Sequence, residues 1–299
     1  MGDMLYDSFR VSYGASEEYI QAHPELASGF DAIERFAGGT LTDCFPSDLE
    51  SLDKLWPFPI HEARQELECA LFLAKGGIYK VAFMCLRNFL ELGLLCCHFL
   101  LTAKRGGNAW ISGRVNTPFK KDMLRVLFEN SDFQEMDRRV NLKGAISHLY
   151  DQLSDVCHTR GRPSSHATLS ASNLPRMVER SLHQFVDRTK DALDTVITCL
   201  VCVNPIILFP LPIEEKFGMN GPMSGFLQEH QVDRLRKLLK PASLKHLLGR
   251  YEPDTGIIRV RQWFEALPDM TEEQLDKQCQ DFREWMRRTR QEPKEGEGK

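Results

Sequence analysis

With 299 residues, 42% hydrophobic and 27% charged, the chain has ordinary globular composition and enough length for a sizeable core, which excludes a mostly disordered polymer. A formal net charge of -4 argues against coating nucleic acid by bulk attraction and leaves only a local basic patch for that purpose. Nine cysteines is an odd number; Cys69, Cys85, Cys96 and Cys97 fall in apolar helical segments and read as small buried hydrophobes in a reducing, cytoplasmic setting.

The opening MGDMLYDSFR lacks the basic and apolar regions of a secretory signal, and Tyr6 stands where myristoylation wants Ser or Thr. A helix is predicted over 16–36, with Ser16 as N-cap, an interruption at Pro24 and a stop at Gly38-Gly39. A connector punctuated by Pro46, Pro57 and Pro59 follows. Over 60–75 the apolar residues Ala63, Leu67, Ala70, Leu71 and Ala74 recur at spacings of three and four, and Gly76-Gly77 ends the run. Residues 78–102 are apolar on nearly every face, the pattern of a helix buried on all sides. Its charges, and the Asn204, Pro205 and Pro210 that interrupt 196–211, argue against membrane spans, so no membrane partner is expected.

The Gly-rich, basic stretch 104–117 reads as a loop, and Pro118 suits the first turn of a helix to about residue 129. A helix over 142–159 carries the apolar stripe Leu142, Ile146, Leu149, Leu153 and Val156 and ends at Gly161-Arg162-Pro163. A long helix is predicted over 175–203, bounded by Pro175 and by Asn204-Pro205. Its Cys199-x-x-Cys202 has no second metal-ligand pair at zinc-finger distance and apolar neighbours, so it reads as core. Prolines and glycines over 205–225 indicate an extended strap against the body, and a helix is predicted over 225–239. The turn at residues 252–256 separates apolar runs at 247–251 and 257–260, spacing that allows a small β-hairpin. Thr271 and Gln274 form a capping-box pattern opening a last helix, and the charged tail 292–299 reads as disordered. The predicted architecture is all-α: an antiparallel helical bundle over 56–204, an N-terminal helical extension over 1–55, and a Pro-rich strap with C-terminal helices over 205–291.

Two polar stripes stand out. In the apolar helix, Arg87, Glu91, Leu94 and His98 lie within an arc of roughly 60° at about 100° per residue. Buried charges of this kind must pair, and the pair reads either as a structural register device or as the lining of a cleft. On the 142–159 helix, Ser147, Tyr150, Asp151, Ser154 and His158 share one side, a solvated face in the plain reading. Should it meet the Arg87 stripe, Glu91 would orient His158 for acid–base work. Basic residues gather nearby, among them Lys104, Arg105, Lys120, Lys121, Arg138, Arg139, Arg160 and Arg162, in positions suited to phosphate. No Gly-rich phosphate loop, HExxH or nucleophile elbow occurs in the sequence, and neither metal nor cofactor is expected.

The segment Leu86-Arg87-Asn88-Phe89-Leu90-Glu91, followed by Leu149-Tyr150-Asp151-Gln152-Leu153-Ser154-Asp155-Val156-Cys157-His158, resembles HEPN-like helical proteins of bacteria, over roughly 60–203. In many of these an Arg/Glu helix precedes a Tyr-x-x-Leu-Ser-x-x-x-His helix. The resemblance implies a four- or five-helix bundle that often forms homodimers. It also implies a metal-independent ribonuclease of a toxin or defence system, or a degenerate RNA-binding relative, in which an Arg-x(4 to 6)-His motif acts on the RNA backbone. Arg160 and His166 have that spacing, with Gly161 and Pro163 between them, whereas His158 has no Arg four to six residues before it. On this reading His158, Arg160 and His166 are the catalytic candidates, and Arg87, Glu91, Tyr150, Ser154 and Arg162 bind an RNA or nucleotide. The competing expectation is a non-catalytic helical adaptor whose strap and C-terminal helices dock a protein partner.

Overall fold

The computed structural model describes residues 2–45, 58–102, 107–172, 174–218 and 225–291. Among them the fold is all-α: fifteen α-helices and short 3₁₀ turns, with one isolated bridge between Pro210 and Leu227 in place of any sheet. Helix α1 spans Gly2–Ala22 and α2 spans Pro24–Gly39. The break falls at His23, held in the extended region because the residue before a proline avoids the helical one. The expected N-cap at Ser16 is corrected: the helix has begun at Gly2, and Ser16 lies inside it, fully buried. The connector prolines Pro46 and Pro57 lie outside the described residues.

Helix α3, Phe58–Lys75, and α4, Tyr79–Leu101, are joined by Gly76-Gly77. Both glycines are required. Gly77 has φ of +76°, and the Phe9 ring of α1 occupies the place where Gly76 would carry a Cβ. The turn therefore receives α1, and the nearly buried Lys75 ammonium binds Glu17 of α1 at 2.8 Å and Glu34 of α2 at 2.7 Å. Helix α4 is long and apolar enough to cross a membrane by length and composition; here its apolar residues pack against other helices. It is not enclosed on every face as the pattern suggested. Met84 is 40% exposed, Asn88 is exposed, and Arg87 and Glu91 lie beside them, part-buried.

Next come α5 (Gly107–Ile111), inside the stretch expected to be loop, then α6 (Lys120–Leu127), α7 (Ser131–Val140) and α8 (Leu142–Cys157). Lys104 and Arg105 lie outside the described residues. Asn130 caps α7 by accepting the Asp132 amide at 2.9 Å, and Asn141, at φ 53°, turns the chain directly into α8. The stripe Leu142, Ile146, Leu149 and Leu153 is buried against α4. After α9 (His166–Leu169), α10 runs over Glu179–Val203. It starts four residues later than Pro175 suggested, because the Tyr79 hydroxyl accepts the Val178 amide at 3.0 Å and holds that residue extended. Cys44, Cys96, Cys97, Cys199 and Cys202 are buried in the core, with burial pushing the Cys202 thiol up to about 12. Cys69 is exposed and Cys85 only part-buried, which corrects the uniform buried reading.

The strap is part of the core. Ile206, Ile207, Leu208, Phe209, Leu211 and Ile213 are all buried, and Asn204 donates to the Gly225 carbonyl at 3.1 Å. Five helices follow: α11 (Ile213–Phe217), α12 (Glu229–Leu238), α13 (Pro241–Tyr251), α14 (Thr255–Ala266) and α15 (Glu272–Gln291). The expected hairpin is a helix–turn–helix. Asp254 in that turn accepts the Gly256 and Ile257 amides at 2.9 and 3.0 Å, which caps a helix rather than opening a strand. The Thr271/Gln274 capping box forms in both directions, at 2.9 and 3.3 Å. The tail 292–299 lies outside the described residues.

Candidate functional site

Helices α4 and α8 run antiparallel, and their two polar stripes meet. Arg87 donates from Nη2 to the Tyr150 hydroxyl at 2.7 Å and from Nε to Ser154 Oγ at 3.2 Å, and lies 3.6 Å from the Glu91 carboxylate. The Tyr150 hydroxyl donates to the other Glu91 oxygen at 3.5 Å. The Arg87 guanidinium and the Lys120 ammonium of α6 lie 4.8 and 4.5 Å from the centroid of the Tyr150 ring, and Lys120 also pairs with Asp151 at 2.7 Å. Burial, then Glu91, raises the Tyr150 hydroxyl above its ordinary pKa against the pull of Arg87, so it stays a neutral donor and acceptor. The Arg87 and Glu91 side chains keep 23% and 24% of their exposure. This is a polar joint at the surface of the helix pair, saturated on one side and open on the other.

The loop beyond α8 begins at this joint. Lys80, two turns before Arg87, donates to Thr159 Oγ1, and Thr159 has φ of 50°. His158 is exposed at the C-cap of α8. The anticipated Glu91–His158 contact is absent: Glu91 is engaged by Arg87 and Tyr150, a turn and more from the helix end. Arg160 folds back to Asp155 at 3.0 Å. His166 opens α9, with Ser165 as N-cap, rather than lying in open loop as its spacing from Arg160 suggested; burial and then Lys80 lower its pKa. His98, the far end of the α4 stripe, lies apart from the joint, beside Asp122 and Arg125.

Arg162 belongs to a different recess. A groove of about 390 Å³ is lined by Arg162, Pro163, Thr168, Leu169, Val178, Arg180, Ser181 and Gln184, with no carboxylate among them. Neither Arg162 nor Arg180 has an ion pair or side-chain hydrogen bond among the described residues. Arg180 and Gln184 also edge an adjoining trough of about 460 Å³ with His183, Asp187 and Arg188. These α10 arginines were not singled out from sequence; the available signal was their spacing of eight, which places them on nearly one face. The groove is therefore a recess of donors: two guanidinium groups, the Thr168 hydroxyl and the Gln184 amide. Among the described residues no group of three His, Cys, Asp or Glu is arranged to hold a metal. No protein-family model matches the chain, and neither the curated proteins nor the solved structures contain a significant match.

Proposed function

We propose that the chain is a HEPN-like antiparallel helical bundle that binds RNA or a nucleotide through its phosphates. The observation that carries this reading is the groove in which Arg162 and Arg180 converge without a carboxylate. A guanidinium offers paired donors matched to a phosphate's oxygens, and unpaired arginines have no ion pair to break first. The Arg87–Tyr150–Ser154–Glu91 joint positions α8, and with it the loop carrying His158, Arg160 and Arg162. With Arg160 engaged by Asp155, binding is the better supported half of the proposal, and metal-independent cleavage by His158, Arg160 and His166 is the further step.

The test is fluorescence anisotropy of a labelled single-stranded RNA over a salt series, run beside an RNA-degradation assay. The double variant Arg162→Glu/Arg180→Glu should bind at least tenfold more weakly, with the salt slope reduced by about 0.7 per lost phosphate contact. His158→Ala and His166→Ala should bind normally. Equal binding by wild type and double variant ends this reading, and equal degradation by all variants ends its nuclease form.

A second reading, a self-associating or partner-docking helical module, is favoured by α15. Its Phe282 and Trp285 are stacked at 5.8 Å yet 47% and 57% exposed, on the face that meets the body through Leu275 and Gln278 one to two turns earlier. This reading needs no phosphate site.

A further inference from the structure

Helices α3 and α4 form an antiparallel pair across a two-glycine turn. The Asn88 amide of α4 donates to the Glu66 carboxylate of α3 at 3.1 Å, which sets residue 66 opposite residue 88. Residues three apart on a helix are neighbours on one face. One turn forward along α3 from Glu66 is Cys69, and one turn back along α4 from Asn88 is Cys85, so the register that pairs Glu66 with Asn88 sets the two thiols opposite each other. Packed helices have axes roughly 8–10 Å apart and Cα atoms about 2.3 Å off each axis, so opposed positions fall within the span of a disulfide. Cys69 is exposed and Cys85 half-buried, on the rim of the helix pair, unlike the five cysteines sealed in the core.

We propose that Cys69 and Cys85 are a dithiol pair that a hydroperoxide converts reversibly into a disulfide stapling α3 to α4. The two cysteines have different roles. Cys69, open to solvent, is the attacking thiol. Its thiolate displaces hydroxide from the peroxide O–O bond, forming a sulfur–oxygen bond and a sulfenic acid, and the hydroxide takes up the proton that Cys69 has lost and becomes water. Cys85 is the resolving thiol. Burial and the neighbouring Glu66 push its pKa to about 12, so it stays protonated and does not compete for the oxidant. The neighbouring Glu66 carboxylate is the base that accepts the proton as the Cys85 sulfur attacks the sulfenic sulfur. The S–S bond forms, the S–O bond breaks, and the departing hydroxyl leaves as water with that proton. Two thiols lose two electrons and two protons, and one peroxide becomes two waters. Cys157 of α8, also part-buried, faces Arg87, Lys80 and Glu91 and lies near Cys85 as well, so it is the competing partner that peptide mapping must separate from Cys69. Reduction by an external thiol restores the pair.

The experiment treats the reduced full-length protein with hydrogen peroxide, alkylates the remaining thiols, and maps the peptides by mass spectrometry. The expected product is lighter by two hydrogens, contains a peptide joining Cys69 to Cys85, and reverts with dithiothreitol. Cys85→Ser should stop the reaction at a Cys69 sulfenic acid captured by dimedone, and Cys69→Ser should leave Cys85 unoxidised. Glu66→Gln, which keeps the Asn88 contact, should slow disulfide formation without slowing dimedone labelling of Cys69. A wild-type product with no Cys69–Cys85 link, whether overoxidised at Cys69, joined to Cys157 or unchanged, overturns the proposal.

Discussion

His98 lies half-buried near the end of α4, its Nδ1 without a hydrogen-bond partner and its ring 5.6 Å from Phe99. Burial and then Arg125 lower its pKa, with Asp122 opposing them. The unfolded chain therefore takes up the His98 proton at a higher pH than the native protein does. Stability must fall as pH drops through the ordinary histidine value near 6.5 and stop falling, for this group, below the native pKa. Urea midpoints measured between pH 7 and 5 should show a smaller acid loss for His98→Leu than for wild type. An equal loss would assign the acid sensitivity to another group. Arg87 is the contrasting residue, since its charge is matched by Glu91 and its donors by Tyr150 and Ser154. Its presence in an apolar helix was legible from sequence, because a charge there demands partners. Which partners it takes depends on α8, more than sixty residues away, and no local pattern encodes that.

At the scale of helices, α4 and α10 approach closely at Gly93. A Cβ there would meet the two Val196 methyl carbons at 2.7 and 2.8 Å, a branched side chain with little room to move. Gly93→Ala should therefore destabilise by about 1–3 kcal/mol despite alanine's better helix propensity. Thermal unfolding followed by circular dichroism measures it, and an unchanged or raised midpoint would show that the two helices can separate to admit the methyl. Helices α3, α4 and α8 were readable nearly to their ends, since α3 and α8 carry a 3.6-residue apolar period, α4 an unbroken apolar run, and Gly or Pro punctuates them. The misreadings share a cause. Ser16 has the chemistry of a cap but lies on a face covered by the body, and residues 247–260 have strand-like apolar runs but an Asp254 that caps a helix. A residue type lists what a position can do, and the packed surroundings select among those options.

For the whole molecule, the segment after Asn204 covers the core it follows: Leu208, Phe209, Leu227, Leu235 and Phe264 are buried together with the residues of α4 and α10. A chain ended at Asn204 should be insoluble or lack a cooperative unfolding transition. One ended at Met270, where the Glu215 carbonyl accepts the last retained amide at 2.8 Å, should stay folded, because none of the described side chains of α15 is buried. Sedimentation of that shorter chain also reads the second proposal: a wild-type dimer that becomes a monomer on loss of α15 supports it, and an unchanged oligomeric state removes it. A folded 1–204 fragment would contradict the packing described above.

By itself the sequence determined that this chain is all-α, where most of its helices lie, and that Arg87, Glu91 and their neighbours need explaining. These properties follow from periodicity, punctuation and the cost of burying charge, all carried by residues close together in the chain. Only the tertiary structure decided that Tyr150 and Ser154 meet Arg87 while His158 does not, that Arg162 and Arg180 line one groove, and that Asn88 meets Glu66, the register on which the proposed Cys69–Cys85 pair rests. Those pairings depend on which helices pack together and in what register, which the summed burial of the whole core settles.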